Sequence, residues 1–209
     1  MRKIVAKARK VSAYQRSKPI VKKLLQRDVV KLNVGCGTDY KEGWINIDNN
    51  SDYNIIKLDF NWDLRNPLPF PAGSVDYIFN EHFMEHLTPE EGVRANQDFL
   101  RVLKKGGVLR IAMPNLEESV ALYKDKNWRK HTVFKNHGLS FVQTRAELLN
   151  MAVRWWGHMW LYDWEEMERR LREAGATKIK RMKQGVSKHK ALNGLEIRDE
   201  STLIAEVTK

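Results

Sequence analysis

Apolar and polar positions alternate in two distinct ways along the chain. Short apolar runs of strand length recur between longer segments in which apolar residues return every three or four positions. This alternation is typical of βαβ units, in which a helix carries the chain back to begin the next parallel strand. The runs with the length and composition of strands are residues 29–34, 44–48, 54–58, 75–79, 108–113, 178–182 and 202–207.

Two segments combine helical periodicity with signals for both helix ends. Residues 89–105 follow Thr88, a favoured N-cap residue, and stop before a pair of glycines. Residues 165–174 stop before Gly175, which suits the position just beyond a helix. The last two strand-like runs flank a basic loop, and we expect them to pair as an antiparallel hairpin at one edge of the sheet. The pattern therefore predicts an α/β fold.

Length and composition favour one domain. With 209 residues and 42% hydrophobic content, the chain can bury one core but is short for two. We expect the domain over residues 30–209, after a basic arm or helix over residues 1–29. The single cysteine, Cys36, excludes an internal disulfide, and no apolar run approaches the roughly 18 residues that span a bilayer. The N-terminus also lacks the apolar stretch of a secretory signal, so we expect a cytoplasmic protein.

The net charge of +11 is concentrated in two places. Residues 1–31 hold eleven Lys and Arg against one acid, and residues 178–190 hold six Lys and Arg and no acid. Residues 32–177 hold 18 basic and 21 acidic residues, a net of −3. The two basic segments either contact an anionic lipid, polysaccharide or nucleic acid, or serve as solvated faces.

A glycine turn and a carboxylate follow the first two predicted strands. Gly35, Cys36 and Gly37 come directly after the first strand, and Asp48 ends the second. Glycines let the backbone approach a ligand closely, and a carboxylate at the second strand can accept hydrogen bonds from two ribose hydroxyls. The two elements together indicate a nucleoside-binding site.

The third and fourth predicted strands also end in polar residues. Asp59, with Phe60 beside it, could accept an adenine amino proton while the ring packs on the base, and Asn80 would lie near the reactive end of the ligand. Gly35 and Asp48 are 13 residues apart, and the third glycine of the dinucleotide fingerprint is missing. Both departures argue against a nicotinamide cofactor.

Four stretches carry a resemblance to a known family: LNVGCGT (32–38) with GWINID (43–48), LPFPAGSVD (68–76), EHFMEHL (81–87) and FLRVLKKGG (99–107). They resemble the class I methyltransferases, in particular small predicted members associated with sugar and cell-surface polysaccharide pathways. The resemblance implies a three-layer, Rossmann-like sheet of seven strands, mostly parallel with a reversed last strand, and S-adenosylmethionine as cofactor. Asn33 stands where many members carry an acid. The expected cofactor-binding residues are Asn33, Gly35, Cys36, Gly37, Asp48, Asn49, Asp59, Phe60 and Asn80.

His82 and Glu81, directly after the fourth strand, are the candidate catalytic residues. Methyl transfer from a sulfonium is an in-line displacement, and a base helps when the acceptor is a hydroxyl. Residues 82–86 also spell His-x-x-Glu-His, a pattern of certain zinc peptidases. That interpretation needs the motif on a helix and a third ligand from a further helix, whereas here the motif follows a strand. We therefore expect no metal site.

Residues 115–163 are expected to form a lid that binds the acceptor, because loops at this sheet edge carry specificity. The end of this segment is rich in tryptophan. The candidate acceptor-binding residues are His158, Trp160 and Tyr162, since aromatic rings beside polar groups suit stacking on a sugar or a base. The alternative is a hydrophobic lid packed on the core.

The favoured reaction is O-methylation of a sugar or other small hydroxyl acceptor, such as a lipid-linked or surface glycan, with residues 1–31 resting on an anionic membrane. Asn80-Glu81-His82-Phe83 differs from the Asn/Asp-Pro-Pro-aromatic sequence of enzymes that methylate nucleobase amino groups. Cys36 lies in the glycine turn and not after a later strand, which disfavours methylation of base carbons. Methylation of RNA 2′-hydroxyls stays open because the basic arm could hold phosphates. A non-catalytic binding module on the same fold is a further alternative.

Overall fold

A sheet of seven strands forms the centre of the computed structural model, which describes residues 14–49, 57–131 and 139–209. The strands are β1 (Lys31–Val34), β2 (Ile45–Asp48), β3 (Phe60–Asn61), β4 (Val75–Glu81), β5 (Leu103–Met113), β6 (Lys178–Arg181) and β7 (Leu203–Thr208). Their order across the sheet is β3-β2-β1-β4-β5-β7-β6. Strands β1 to β5 pair in parallel, whereas β7 is antiparallel to both β5 and β6. The predicted α/β fold with a reversed last strand is confirmed.

Helices flank this sheet. They are α1 (residues 14–24), α2 (Pro89–Val102), α3 (Leu116–Lys124), α4 (Arg145–Arg154) and α5 (Trp164–Glu173). Short 3-10 turns occupy Met84–His86, Trp128–Lys130, Leu139–Phe141 and Lys190–Leu192. Of the arm expected over residues 1–29, residues 1–13 lie outside the described part of the chain. None of the helices in the described ranges is long and apolar enough to cross a membrane.

Helix α2 begins where the sequence predicts and ends three residues earlier than expected. Thr88 and Glu91 form a capping box, with the Glu91 N–H donating to the Thr88 hydroxyl over 3.3 Å. Leu103 already has an extended backbone and pairs with Val75, so residues 103–105 belong to β5. Burying Leu103 in the core outweighs the helix propensity of the two lysines that follow it.

The prediction of the third strand at residues 54–58 is wrong for the two of these residues that the structure describes. Residues 54–56 lie outside the described residues, and Lys57 and Leu58 are not in a strand. Pairing with β2 is fixed instead by Asp59, whose N–H donates to the Asn46 carbonyl over 3.1 Å. The strand follows directly at Phe60–Asn61.

The two faces of the sheet are covered differently. Alternate residues of a strand face opposite sides, and the neighbours Ile78 and Phe79 of β4 accordingly belong to different hydrophobic clusters. Helices α2 and α5 cover the Ile78 side through buried apolar residues such as Phe99. The Phe79 side is covered by Trp44 and by Leu192, which belongs to residues 183–201. We call residues 183–201 the covering segment.

A buried arginine ties the covering segment to the sheet. Arg110 of β5 is fully buried, and its guanidinium lies 2.5 Å from a carboxylate oxygen of Glu196 and 2.7 Å from one of Glu206. It also donates to the Val186 carbonyl over 3.0 Å. A buried guanidinium needs such partners, and here they hold a segment that has little regular structure.

The chain between β5 and α5 forms a unit with a small hydrophobic cluster of its own. Its buried members are Trp128, Leu139, Val142, Leu148 and Met151. Helix α3 contributes no buried residue, although its Leu122 packs against the cluster. This unit corresponds to the lid expected over residues 115–163, of which residues 132–138 lie outside the described residues.

Candidate active site

The glycine turn lies against the end of β2. Gly35 and Gly37 have φ angles of +66° and +51°, in the left-handed region that glycine adopts without a steric cost. The backbone N–H groups of Gly35 and Cys36 both donate to the Ile47 carbonyl, over 2.9 and 3.3 Å. The structure thus brings together the two elements of the predicted cofactor site.

Asp48 ends β2 with its carboxylate directed at the glycine turn. Oδ2 accepts a hydrogen bond of 2.7 Å from the Gly37 N–H, and Oδ1 accepts one of 2.7 Å from the Asn49 N–H. A carboxylate offers about four lone-pair positions, so capacity remains for two hydroxyl donors. The residues present therefore fit a ribose diol.

Gly35 also makes room for an aromatic ring. A Cβ at this position would lie 2.5 Å from the ring of Phe83, closer than atoms can approach. Phe83 packs against the core and its ring centroid lies 6.4 Å from that of Phe99. Spacing along the chain could not predict this contact, because Gly35 follows β1 whereas Phe83 follows β4.

Asn33 holds the loop after the glycine turn. Its Nδ2 donates to the Asp39 carbonyl over 2.8 Å and to Asn46 Oδ1 over 3.0 Å, and the residue is buried. Asn46 accepts in turn from the Lys41 N–H over 2.8 Å. With its amide engaged in this way, Asn33 stabilises the loop that follows the glycine turn.

Asp59 belongs to the same buried network, which corrects its predicted role at the adenine. Its Oδ2 accepts from the Asn46 N–H and Nδ2 over 2.8 and 2.9 Å, and Oδ1 accepts from the Tyr40 hydroxyl over 3.1 Å. Burial alone would raise the pKa of Asp59, but these hydrogen bonds outweigh it and lower the pKa below its ordinary value. The carboxylate is therefore occupied within the protein.

Phe60 is likewise a core residue and not an exposed platform for a base. Its ring stacks on Trp62 with centroids 5.6 Å apart and meets Phe70 edge-on at 6.1 Å. Trp62, just beyond β3, donates its backbone N–H to the Asp48 carbonyl over 2.9 Å. Trp62, rather than Phe60, is thus the aromatic residue whose backbone is bonded to the end of β2.

Asn80 in β4 is completely buried, and neither atom of its side-chain amide has a hydrogen-bond partner among the described residues. Buried amides are almost always paired in folded proteins. An unpaired amide near the carboxyl end of the strand beside β1 is what a site built for a polar ligand would contain.

Glu81, predicted as a catalytic base, is instead an anchor of the covering segment. Its carboxylate accepts from the N–H groups of Ile197 and Arg198, both over 3.1 Å, and from the Ser201 hydroxyl over 2.5 Å. The Arg198 guanidinium lies 3.5 Å away. Its oxygens are engaged by these donors, so Glu81 is not available to accept a proton from an acceptor.

His82 has a strained backbone and a buried ring. Its φ is +52°, rare for a residue other than glycine. Nδ1 lies 3.3 Å from Glu85 Oε1, and Nε2 is buried without a partner among the described residues. Burial lowers the pKa of His82 to about 3 and raises the pKa of Glu85 to about 8. Both shifts favour the neutral forms, so the two groups do not form an ion pair at neutral pH.

Two further histidines lie beside Glu85. His86 follows it in the chain, and the ring of His158 meets that of His86 edge-on, with centroids 5.0 Å apart. The backbone N–H groups of Met159 and Trp160 donate to the Glu85 carbonyl over 2.7 and 3.2 Å. The tryptophan-rich segment is thereby fastened to the turn after β4.

Comparison with known proteins assigns this arrangement. Residues 36–111, which carry Cys36 and Gly37 of the glycine turn, Asp48 and Asn80, match the family model of a methyltransferase domain. This part of the chain is therefore similar to a methyltransferase domain, for which S-adenosylmethionine is the expected methyl donor. No protein of curated function matches the sequence.

Solved structures of two methyltransferases have a similar fold. A methyltransferase from Thermotoga maritima, described as a possible histamine N-methyltransferase, has 16% identity and a TM-score of 0.53 over 96% of this chain and 97% of its own. A methyltransferase from Archaeoglobus fulgidus has 17% identity and a TM-score of 0.53 over 94% and 93% of the two chains. At these identities the likeness shows the fold alone.

The predicted acceptor-binding residues do not share one environment. Trp160 is 40% exposed, and its Nε1 donates to Glu166 over 3.1 Å. Tyr162 is buried in the core, where its hydroxyl oxygen lies 3.1 Å from the position of a Cβ on Gly92 of α2. Burial raises the pKa of Tyr162 to about 12. Tyr162 is therefore a packing residue, which corrects its predicted role.

Cys36 contributes its backbone N–H to the turn, and its thiol donates a long hydrogen bond of 3.8 Å to the Gly37 carbonyl. Its side chain is buried, and burial together with the Asp48 carboxylate raises the pKa of the thiol to about 12. A thiol in this state is not a nucleophile at neutral pH.

Proposed function

We propose that this methyltransferase transfers a methyl group to a hydroxyl oxygen of a sugar or another small acceptor. The observation that carries the proposal is the position of His82. It comes two residues after Asn80 at the carboxyl end of β4, and its Nε2 has no hydrogen-bond partner among the described residues. Glu85 approaches the ring at Nδ1, which leaves Nε2 as the nitrogen that can meet an acceptor.

A hydroxyl acceptor needs a base, whereas a neutral amine already carries a free lone pair. S-adenosylmethionine supplies an electrophilic methyl group when bound, so the acceptor oxygen has to be aligned and made nucleophilic. His82 is neutral at neutral pH because burial lowers its pKa, so Nε2 would accept a hydrogen bond from the acceptor hydroxyl and align its oxygen with the methyl group. The φ of +52° at His82 supports this role, because strained residues persist where the surrounding structure positions a functional group.

Exposed tryptophans beside this site suit a sugar acceptor. Trp155, Trp156 and Trp160 are 60%, 53% and 40% exposed. Large exposed apolar rings are uncommon on a surface that contacts only water. Their faces can pack on the C–H face of a sugar ring while neighbouring polar groups bind its hydroxyls.

The experiment follows labelled methyl transfer from S-adenosylmethionine to monosaccharides, glycan fractions and RNA. His82→Gln is expected to lower the transfer rate by about 10²-fold or more while cofactor affinity stays within twofold. His189→Gln is the matched control, since His189 lies on the covering segment with its ring against Tyr77. Equal rates for the two variants would overturn the role of His82, and label in a nitrogen acceptor alone would overturn O-methylation.

RNA 2′-hydroxyl methylation is the second candidate, and the charge of residues 1–31 favours it. Lys22 and Lys23 on α1 are exposed and available to phosphates. Label found in RNA and in no glycan fraction would establish this candidate in place of the first. Transfer to RNA should then fall steeply between 50 and 200 mM salt.

The same basic residues support a peripheral contact with an anionic membrane, which would bring a lipid-linked acceptor to the site. The test compares co-sedimentation with vesicles of phosphatidylglycerol and of phosphatidylcholine. Binding only to the anionic vesicles, weakened in the double variant Lys22→Glu/Lys23→Glu, is expected. Binding to neither vesicle at low salt would remove the proposal.

A further inference from the structure

Glu85, His86 and His158 form a cluster that the proposed O-methylation does not fully use. Each residue offers one ligand atom, and the three ligand atoms lie within 4.8 Å of one another. Glu85 and His86 belong to the 3-10 turn after β4, whereas His158 comes from the tryptophan-rich segment more than 70 residues later. Two imidazoles and one carboxylate are a donor set for a divalent transition metal with an open coordination position.

The Glu85 carboxylate is the observation that points to a ligand. It is 1% exposed, and neither oxygen has a hydrogen-bond partner among the described residues. His82 Nδ1 approaches Oε1 to 3.3 Å. A carboxyl group removed from water without partners is costly, and a bound cation is one of the few arrangements that compensate for it.

The surroundings of His158 fit a metal ligand. Its Nδ1 lies 2.7 Å from the Ala152 carbonyl oxygen. A carbonyl can only accept, so Nδ1 carries the proton and Nε2 presents its lone pair. This is the usual way in which an outer partner orients a histidine ligand. His82 stands in a comparable relation to Glu85, at the distance of a group that orients the carboxylate.

The two chain segments that supply the ligands are joined by backbone hydrogen bonds. Met159 and Trp160 both donate to the Glu85 carbonyl. A zinc ion holds nitrogen and oxygen ligands at about 2.0 to 2.2 Å, which places ligand atoms about 3.3 to 3.5 Å apart in a tetrahedron. Ligand atoms that lie up to 4.8 Å apart would therefore have to approach one another by up to about 1.5 Å to close on an ion, a movement that side-chain rotation can supply.

We propose that Glu85, His86 and His158 bind one divalent transition-metal ion, for which zinc is the first probe. The open position of the ion would take the acceptor hydroxyl and make its proton easier to remove, and this part of the inference rests on the proposed O-methylation. The set of ligands differs from the one that the His-x-x-Glu-His pattern suggested. Here His82 is not a ligand, and the third ligand comes from a segment that the sequence pattern does not connect to the motif.

The test measures metal binding directly on the full chain, freed of any affinity tag and stripped with a chelator. Zinc titrated by calorimetry is expected to bind at one ion per chain. Cobalt in its place should give the visible absorption of a low-symmetry site. Both signals should weaken by about 10²-fold in His158→Gln and in Glu85→Gln, and should be unchanged in His189→Gln.

Folding of each variant is checked by circular dichroism, and His86→Gln provides a variant at an exposed position should the buried substitutions unfold the chain. Less than one zinc per chain at micromolar concentrations, or binding unchanged in both His158→Gln and His86→Gln, would overturn the site. Stoichiometric binding without methyl transfer to any hydroxyl would retain the metal site and remove O-methylation. Full methyl transfer by the metal-free protein would retain O-methylation and remove the proposed role of the ion in it.

Discussion

The backbone N–H of Gly37 donates a hydrogen bond of 2.7 Å to Asp48 Oδ2. The bond spans eleven residues and joins the turn after β1 to the end of β2, so the carboxylate is held in place before any ligand binds. A group held in this way loses little freedom on binding a nucleoside, which increases affinity. Asp48 is thus bonded to the turn, and we expect its remaining lone pairs to accept hydrogen bonds from the ribose.

Replacing Asp48 should therefore weaken cofactor binding strongly. Asp48→Ala is expected to lower affinity for S-adenosylmethionine about 10²-fold, because hydrogen bonds to a charged acceptor contribute about 1.5 to 3 kcal/mol. Asp48→Asn should cost less, since an amide oxygen can still accept from Gly37. Calorimetry measures both, with Asp28→Ala, at an exposed position, as the control. Affinity unchanged in Asp48→Ala would contradict the assignment of the ribose site.

The glycine turn offers a matched pair of substitutions. Gly35 and Gly37 both have positive φ, but a Cβ at Gly35 would lie 2.5 Å from Phe83 and a Cβ at Gly37 would meet nothing within 4 Å. Gly37→Ala should lower the free energy of unfolding by about 1 to 2 kcal/mol, the cost of the left-handed backbone alone. Gly35→Ala should lose the same amount and a further 1 to 3 kcal/mol, roughly, because its Cβ would overpack against Phe83.

Urea denaturation measures the difference between the two glycine variants. The double variant Gly35→Ala/Phe83→Ala separates the causes, because it removes the clash and keeps the backbone strain. If Gly35→Ala proved no more destabilising than Gly37→Ala, the contact with Phe83 would not be present in solution.

Local pattern was sufficient for the elements whose chemistry is contained in a few neighbouring residues. Thr88 begins α2 as predicted because a capping box involves residues only three apart. The glycine turn and Asp48 lie together because consecutive parallel strands end at the same sheet edge. These parts of the fold and site follow from short-range stereochemistry and burial.

The local sequence pattern was insufficient where contacts between residues far apart in the chain determine the structure. Glu81 follows a strand and looks like a free base, but its partner Ser201 comes 120 residues later. The proximity of His158 to Glu85 likewise cannot be predicted from their spacing in the sequence. Periodicity also placed β3 too early, because its register is fixed by hydrogen bonds between Asp59 and Asn46, which lie 13 residues apart.

Glu166 should make stability depend on pH in the acid range. Hydrogen bonding to Arg169, opposed by burial and reinforced by Arg170, lowers the pKa of Glu166 to about 2. A carboxyl whose pKa is lower in the folded state stabilises the fold above its unfolded value of about 4.3 and loses that contribution as the pH falls toward 2. Glu166→Gln should therefore lose about 1 kcal/mol of unfolding free energy at pH 7, and the loss should shrink between pH 5 and pH 3.

Glu165→Gln is the control for this prediction. Glu165 and Glu166 both lie in the first turn of α5, so both interact with the helix N-terminus, but Glu165 is exposed. Urea denaturation at a series of pH values should show a pH-dependent difference for Glu166→Gln that is larger than for Glu165→Gln. Parallel curves for the two variants would mean that the ion pairs with Arg169 and Arg170 contribute nothing.

Measurements of stability distinguish an anchoring role of Glu81 from a catalytic role. Glu81→Ala leaves the N–H groups of Ile197 and Arg198 and the Ser201 hydroxyl without their acceptor, and should cost about 3 kcal/mol of unfolding free energy. Ser201→Ala removes a single donor and should cost about 1 kcal/mol. Limited proteolysis should cut the covering segment faster in Glu81→Ala.

A catalytic base would behave in the opposite way. Its removal would lower the rate of methyl transfer by about 10²-fold or more at unchanged stability. Ser201→Ala distinguishes the two cases further, because it leaves the Glu81 carboxylate in place and loosens only the anchor. If Glu81→Ala and Ser201→Ala both lose stability in the expected order and the transfer rate follows stability, Glu81 acts by fixing residues 197–201. A folded Glu81→Ala protein with full stability and no transfer would restore it as the base.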